Sequence, residues 1–338
     1  MGDLVEFSEV EELRNSNRSL ERRLRKSQTR LDELVAACYA GARDAYASLV
    51  IQPPVVTPKV DMRRKSAEVA LWCMGDWQGA KLTTSYNSEV MRERVMRFAK
   101  VAEQITNIQR ADHPVKDCTI LFGGDMVEGL FQFPTQPFEI DATLFGQFVT
   151  VSQLLIDTVR EALRIYERVQ VVAEWGNHGR IGSKRSTIPK GDNFDRMCYE
   201  HARRMMAGEK RLRWEDCPED IQRVEIGNYR ALCLHSDEIG RNGFAAPSTI
   251  VNYINRLRSG AYRWDFRDAY TFHYHTHAEW PLANGEGAIY QTGSTESDNR
   301  YARDTMASSA IPSQRLHYID PTRGRVTSQY KIWLGDGD

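Results

Sequence analysis

Apolar positions along this chain follow two different periods. Between Val10 and Cys38 they recur on a heptad, with Val10, Asn17, Leu24, Leu31 and Cys38 at a and Leu13, Leu20, Ser27 and Leu34 at d. The stripe is narrow, and Asn17 is the kind of polar a-position residue that sets register in paired helices, so residues 1–50 are expected to be a coiled-coil segment that forms a homodimer. The competing expectation is an amphipathic helix packed on its own domain. Gln52-Pro53-Pro54 through Pro58 then breaks the helix, because proline lacks an N–H donor and restricts its predecessor; residues 51–65 read as a linker.

From residue 66 to 338 short apolar runs alternate with helical stripes, the signature of an α/β domain. Strands are expected over Val69 to Met74, Thr119 to Phe122, the run beginning at Val171, Tyr229 to Leu234 and Tyr270 to Tyr274. Arg223 to Ile226 pairs with Tyr229 to Leu234 through a Gly227-Asn228 turn. Helical stripes fall between them, with Met91, Val95, Phe98, Ala102 and Ile105 on the first and Phe148, Ser152, Leu155, Val159 and Leu163 on the second. Two more helices are expected, over about Asn193 to Met206 and Ser248 to Arg258. The tail adds strands at Ala288 to Gln291, Leu316 to Ile319 and Val326 to Trp333.

Composition narrows the class. The chain's 45 basic and 46 acidic residues give no protein-wide attraction to polyanions, so any affinity for nucleic acid must be local. Six cysteines without CxxC pairing suit a reducing compartment. The N-terminus lacks the pattern of a signal peptide, and no apolar run is long enough to cross a membrane, so a cytoplasmic protein is expected.

The chemistry gathers where the apolar runs stop. In order, the strand ends offer Asp76 and Gln78, Asp125 behind Gly123-Gly124, Asn177 and His178 behind Gly176, His235, and His275 with His277. Carboxylate, imidazole and amide oxygen together suit a borderline divalent ion, and the number of ligands suits two ions. Asp125 is the natural bridging carboxylate, since the glycines before it let backbone approach closely.

The order Asp-x-Gln, Gly-Gly-Asp-x-x-Glu, Gly-Asn-His, a lone His, then His-x-His resembles the calcineurin-like metallophosphoesterases, and among them the double-strand-break repair nucleases of the SbcCD type. The resemblance spans about residues 68 to 334. It implies a four-layer sandwich of two mixed β-sheets flanked by helices, and a site for two Mn, Fe or Zn ions. It places Asp76, Gln78, Asp125 and His277 around one ion and Asp125, Asn177, His235 and His275 around the other. His178 would bind no metal but would sit beside the scissile phosphate and protonate the leaving oxygen, oriented by Glu128. Two departures stand out. Gln78 replaces an imidazole with a harder amide oxygen, which favours Mn or Mg over Zn. Gly179 stands where the family has an acid after Asn-His, so the orientation of His178 rests more heavily on Glu128.

Between Arg180 and Arg213 the chain has ten Lys or Arg residues against four acids, and Arg180, Lys184 and Arg185 leave the Asn-His loop directly, as contacts to flanking phosphates would. Trp77 and Phe131 could stack on bases, with core burial the competing expectation. The leading expectation is a DNA exo- or endonuclease, a partnership with an ATPase subunit being left open by the resemblance. The alternatives are a small phosphate-ester or cyclic-nucleotide phosphodiesterase and a non-catalytic scaffold.

Overall fold

A computed structural model of the chain describes residues 14–22, 25–26, 40, 51–63, 66–132, 136–182, 188–216, 219–240, 245–282, 285–298 and 311–335. The chain divides into two units, 1–49 and 50–338. In the first, the described residues are helical, and Asn17 and Leu20 are exposed. The other heptad positions, Val10, Leu13, Leu24, Ser27, Leu31, Leu34 and Cys38, lie outside the described residues.

In the second unit, β1 (Glu68–Met74), β2 (Val115–Phe122), β3 (Arg168–Ala173) and β4 (Leu212–Trp214) run parallel, β1 through β4 in that spatial order. β10 (Ser313–Asp320) joins β1 antiparallel and carries β11 (Arg325–Trp333) at the edge. Strands buried on both faces need continuous apolar runs, and ALWCM in β1 and TILF in β2 supply them. Three helices cover one face of this sheet: α1 (Ser88–Gln109), α2 (Leu144–Ile165) and α3 (Phe194–Met205). Each begins on a polar cap, Asn87, Thr143 and Asn193, whose side-chain oxygen takes an early N–H that the helix leaves unpaired. Trp72 of β1 packs edge-on against Phe98 of α1 and against Tyr166 just beyond α2, fixing these helices on the sheet.

The opposite face meets a second sheet, ordered β5 (Gln222–Ile226), β6 (Tyr229–Leu234), β7 (Asp268–Thr271), β9 (Ala288–Gln291) and β8 (Ala278–Pro281). β6, β7 and β9 are parallel, and β5 and β8 are antiparallel to their neighbours. Leu71, Cys73, Leu121 and Val172 of the first sheet form one core with Val224, Tyr229, Ala231, Tyr270 and Tyr290 of the second. The outer face of the second sheet is closed by α4 (Pro247–Arg256), through Ile250 and Ile254 on Leu232, Leu234 and Ala269. Two mixed sheets flanked by helices make the expected four layers.

Two strands, β4 and β8, are not among those expected from the sequence; each is short and its burial alternates, so neither has an apolar run. The strand expected over Tyr270 to Tyr274 stops at Thr271, and this moves the loop that follows it. The described part of the linker is irregular and docks on the domain, with Gln52 N–H donating to the Met205 carbonyl and Asp61 N–H to Glu167. Among the described residues no helix is long and apolar enough to cross a membrane.

Candidate metal centre

The parallel strands β1, β2, β3, β6 and β7 all end at the same rim, and their loops meet there with little between them. A Cβ on Gly75 would lie 2.6 Å from the Phe272 ring, and one on Gly176 would collide with the Asp125 carboxylate. The backbone is also strained. Asp76, Gln78, Asp125, His273 and His275 have φ of 49°, 49°, 52°, 83° and 56°, in the left-handed region that side chains avoid. Such residues cost about 1–3 kcal/mol each and persist where the surroundings over-determine them, which marks this rim as a functional site.

Asp125, fully buried, stands at the middle. On one side its Oδ2 is 2.9 Å from His235 Nε2, and that nitrogen is 3.2 Å from Asn177 Oδ1. Single ligand atoms of Asp125, His235 and His273 lie within 4.8 Å of one another. On the other side Asp125 Oδ2 is 3.4 Å from the Gln78 amide, which is 3.4 Å from His275 Nε2; His275 Nε2 is in turn 3.5 Å from Asp76. Both outer histidines are held by their other nitrogen: His235 Nδ1 lies 2.8 Å from the Gly123 carbonyl, and His275 Nδ1 lies 2.5 Å from Glu296. Those contacts fix the tautomer that presents an Nε2 lone pair to the cluster, the usual arrangement behind a ligating imidazole. Gln78 Oε1 and His273 Nε2 are buried with no hydrogen-bond partner. An acceptor oxygen and a ring nitrogen left unmatched beside buried carboxylates fit a cation.

The site corrects the sequence reading at one motif. His273, not considered there, joins Asp125 and His235, and His275 faces Asp76 and Gln78, where His277 was expected. His277 instead leads into β8, where the carbonyl of its neighbour Ala278 accepts from Arg315 Nη2 at 2.9 Å. The cause is the early end of β7, at Thr271 rather than Tyr274, which brings His273 into the loop so that each histidine takes the place expected of the next. The run His-x-His-x-His offers both registers, and only the pairing of β7 chooses between them.

His178 lies beside the cluster rather than in it. Its backbone N–H donates to Asp125 Oδ1 at 2.7 Å, and its Nδ1 is 3.0 Å from the Glu128 carbonyl and 3.2 Å from the Glu128 carboxylate. Gln136 Nε2 is 3.3 Å from the same nitrogen. Burial opposes a charge on this ring, but Asp125 and Glu128 outweigh it and raise His178 to about 9. Glu128 itself is buried and held by Lys81 at 3.2 Å.

Asp195, also absent from the sequence reading, ties two of the loops together. From the first turn of α3 its carboxylate accepts the backbone N–H groups of Asp125 (2.8 Å), Met126 (3.0 Å), Val127 (3.1 Å) and Gly176 (2.8 Å). Asn193 donates to the Gly176 carbonyl at 2.8 Å. A Cβ on Gly179 would collide with Asn193 Oδ1, so the position after Asn-His is glycine here because the start of α3 fills the space. The only sequence signal for Asp195 was its place in the first turn after an Asn cap.

Of the expected phosphate contacts, Arg180 is corrected: it is nine-tenths buried and paired with Asp237 at 2.9 Å. Lys184 and Arg185 lie outside the described residues. Trp77 is fully buried against Phe122, which leaves it no face for a base.

No protein-family model matches the chain, and no curated protein does. Solved structures resemble it at low identity. Vps29 of Entamoeba histolytica, complexed with zinc, is 11% identical over 79% of this chain and 99% of its own, with a TM-score of 0.33. A predicted phosphoesterase of Streptococcus pneumoniae TIGR4 is 10% identical over 79% and 98%, with a TM-score of 0.27. The phosphopantetheinyl hydrolase of Mycobacterium tuberculosis is 13% identical over 72% and 95%, with a TM-score of 0.29. Likeness at this level says nothing of what the chain does.

Proposed function

We propose that this chain is a two-metal-dependent phosphoester hydrolase acting on a phosphodiester of nucleic acid. The observation that carries the reading is the position of Asp125, one buried carboxylate between two groups of ligand-type atoms, with Gln78 Oε1 and His273 Nε2 left without partners. Asp76, Gln78, Asp125 and His275 would hold one divalent ion, and Asp125, Asn177, His235 and His273 the other. The amide oxygen of Gln78 makes Mn or Mg the better fit on the first side, with Fe or Zn acceptable on the second. When bound, such ions lower the pKa of a water and neutralise charge on phosphoryl oxygens.

The chain's own residues supply the rest. His178 presents Nε2 to the space beside Asp125 while Glu128 and Gln136 hold its Nδ1, so it is placed to give a proton to the leaving oxygen. Asp195 and Asn193 fix the backbone from which Asp125 and Asn177 project. The choice of nucleic acid rests on the basic segment 180–213 and the resemblance of the motifs to repair nucleases. One observation favours a second reading, a small phosphate ester: Arg180, Lys190, Arg203, Arg204, Arg211 and Arg213 are all engaged by carboxylates. We also read residues 1–50 as the dimerising segment and leave an ATPase partner to be sought by co-purification.

The deciding experiment incubates purified protein and Mn with labelled single-stranded and duplex DNA, RNA, cyclic nucleotides and a chromogenic diester in parallel. Cleavage of nucleic acid that chelator abolishes supports the reading. Turnover of small esters alone moves it to the second reading, and full activity in chelator rejects the metal centre.

A further inference from the structure

Beside His277, outside the metal centre, the second half of the domain brings two cations together. β10 and β11 pair so that Arg315 stands directly opposite Lys331, and like charges facing each other on a sheet repel. Arg315 is 2% exposed, yet its hydrogen-bond partners among the described residues are all neutral. Its Nη1 donates to His317 Nε2 (3.2 Å), its Nη2 to the carbonyls of Ala278 (2.9 Å) and Gln291 (3.1 Å), and its plane lies 5.1 Å from the Tyr290 ring. Lys331 rests on the Trp333 ring at 3.6 Å. Arg315 Nε and His277 Nδ1 are both buried with no partner. Glu279, next to Ala278 on β8, is exposed and makes no ion pair with Arg315 among the described residues. A guanidinium taken out of water without a counter-charge, next to an ammonium, is an unbalanced arrangement.

These groups lie at the open side of the sandwich, because β11 is the edge of one sheet and β8, which His277 enters, is the edge of the other. Lys331 and His277 are half-buried there, so an anion would approach the buried Arg315 past them. We propose that Arg315, Lys331 and His277 form an oxyanion site that takes a phosphate group. The unpartnered guanidinium Nε–H, the Lys331 ammonium and, in the tautomer protonated at Nδ1, the His277 ring can each donate to one oxygen of a tetrahedral oxyanion. His277 is two residues from His275, at most about 7 Å along the backbone, so the site adjoins the metal centre. The shared chemistry is phosphate, either free or as a second phosphate of the substrate; only the second source rests on the phosphoesterase reading.

The test uses the full-length chain in chelator, where the metal centre holds no ion, and follows thermal unfolding against inorganic phosphate and, separately, a nucleoside 5′-monophosphate. Phosphate should raise the midpoint along a saturable curve. Lys331→Glu supplies an internal carboxylate opposite Arg315; it should raise the midpoint without phosphate and weaken the apparent affinity about tenfold or more, the scale of one charged hydrogen bond. His277→Ala should weaken the affinity without that stabilisation. Equal affinity for both probes identifies free phosphate as the ligand, and tighter binding of the monophosphate identifies an ester; both support the site. An unresponsive wild-type protein, or Lys331→Glu responding as wild type does, overturns it. Because no turnover is measured, failure here leaves the hydrolase reading to its own test.

Discussion

Asp195 Oδ2 accepts the backbone N–H of Asp125 at 2.8 Å, and the same oxygen accepts Gly176 N–H at 2.8 Å. One buried acid on α3 thus joins the loop after β2 to the loop after β3. Asp195→Asn should lower stability by about 1.5–3 kcal/mol, the scale of a charge-assisted hydrogen bond, and should weaken metal binding more than substrate binding. Calorimetric unfolding together with metal titration checks this; unchanged metal affinity in a destabilised variant would limit Asp195 to holding the fold.

The shifted histidine register predicts opposite results for neighbouring residues. His273→Ala and Asp125→Asn should lose bound metal and activity together, since each removes a donor from the cluster. His277→Ala should keep its metal content. Elemental analysis of the three dialysed proteins decides the register, and metal loss from His277→Ala with retention in His273→Ala would restore the arrangement read from the sequence.

His178 is placed to move a proton and not to hold metal. His178→Asn should retain metal and bind substrate while cleavage slows by roughly a hundred- to ten-thousand-fold, the range of general acid catalysis. Glu128→Gln keeps the ring in place less firmly and should show a smaller loss. Single-turnover rates with metal content measured on the same samples separate the two effects.

His317 is fully buried between the Tyr270 hydroxyl (3.0 Å) and Arg315, and burial, then Arg315 and His277, push it well below its ordinary 6.5. The unfolded chain therefore binds a proton near pH 6.5 that the folded chain refuses, so stability falls as pH drops below that value, by up to about 1.4 kcal/mol per pH unit for one group. Denaturant midpoints at pH 7 and pH 5.5 should show the loss, and His317→Gln should flatten it. A slope that survives the substitution would assign it to other groups.

Residues 1–50 are expected to pair as a coiled coil. Deleting them should halve the mass seen by light scattering and leave the remaining domain with its folded circular dichroism. An intact chain that runs as a monomer at tens of micromolar, roughly where four heptads should associate, would reject the dimer.

The local pattern determined most of the architecture. ALWCM, TILF and the VVA run that begins at Val171 are apolar and each is followed within three residues by glycine, and such runs form buried parallel strands, so Asp76, Gln78, Asp125, Asn177 and His178 were legible as strand-end residues. Glu128 was legible from its spacing to Asp125, and the structure puts it beside His178. What the sequence left open depended on partners far along the chain. β7 ends at Thr271 because its neighbours β6 and β9 end opposite it, at Leu234 and Gln291, and that ladder decides which two of three alternating histidines reach the cluster. Arg180 reads as a free cation until Asp237 is folded against it, and Asp195 reads as an ordinary first-turn acid until four N–H groups from two other loops converge on it. Burial forces each of these groups to find a partner, and only the tertiary structure says which one is within reach.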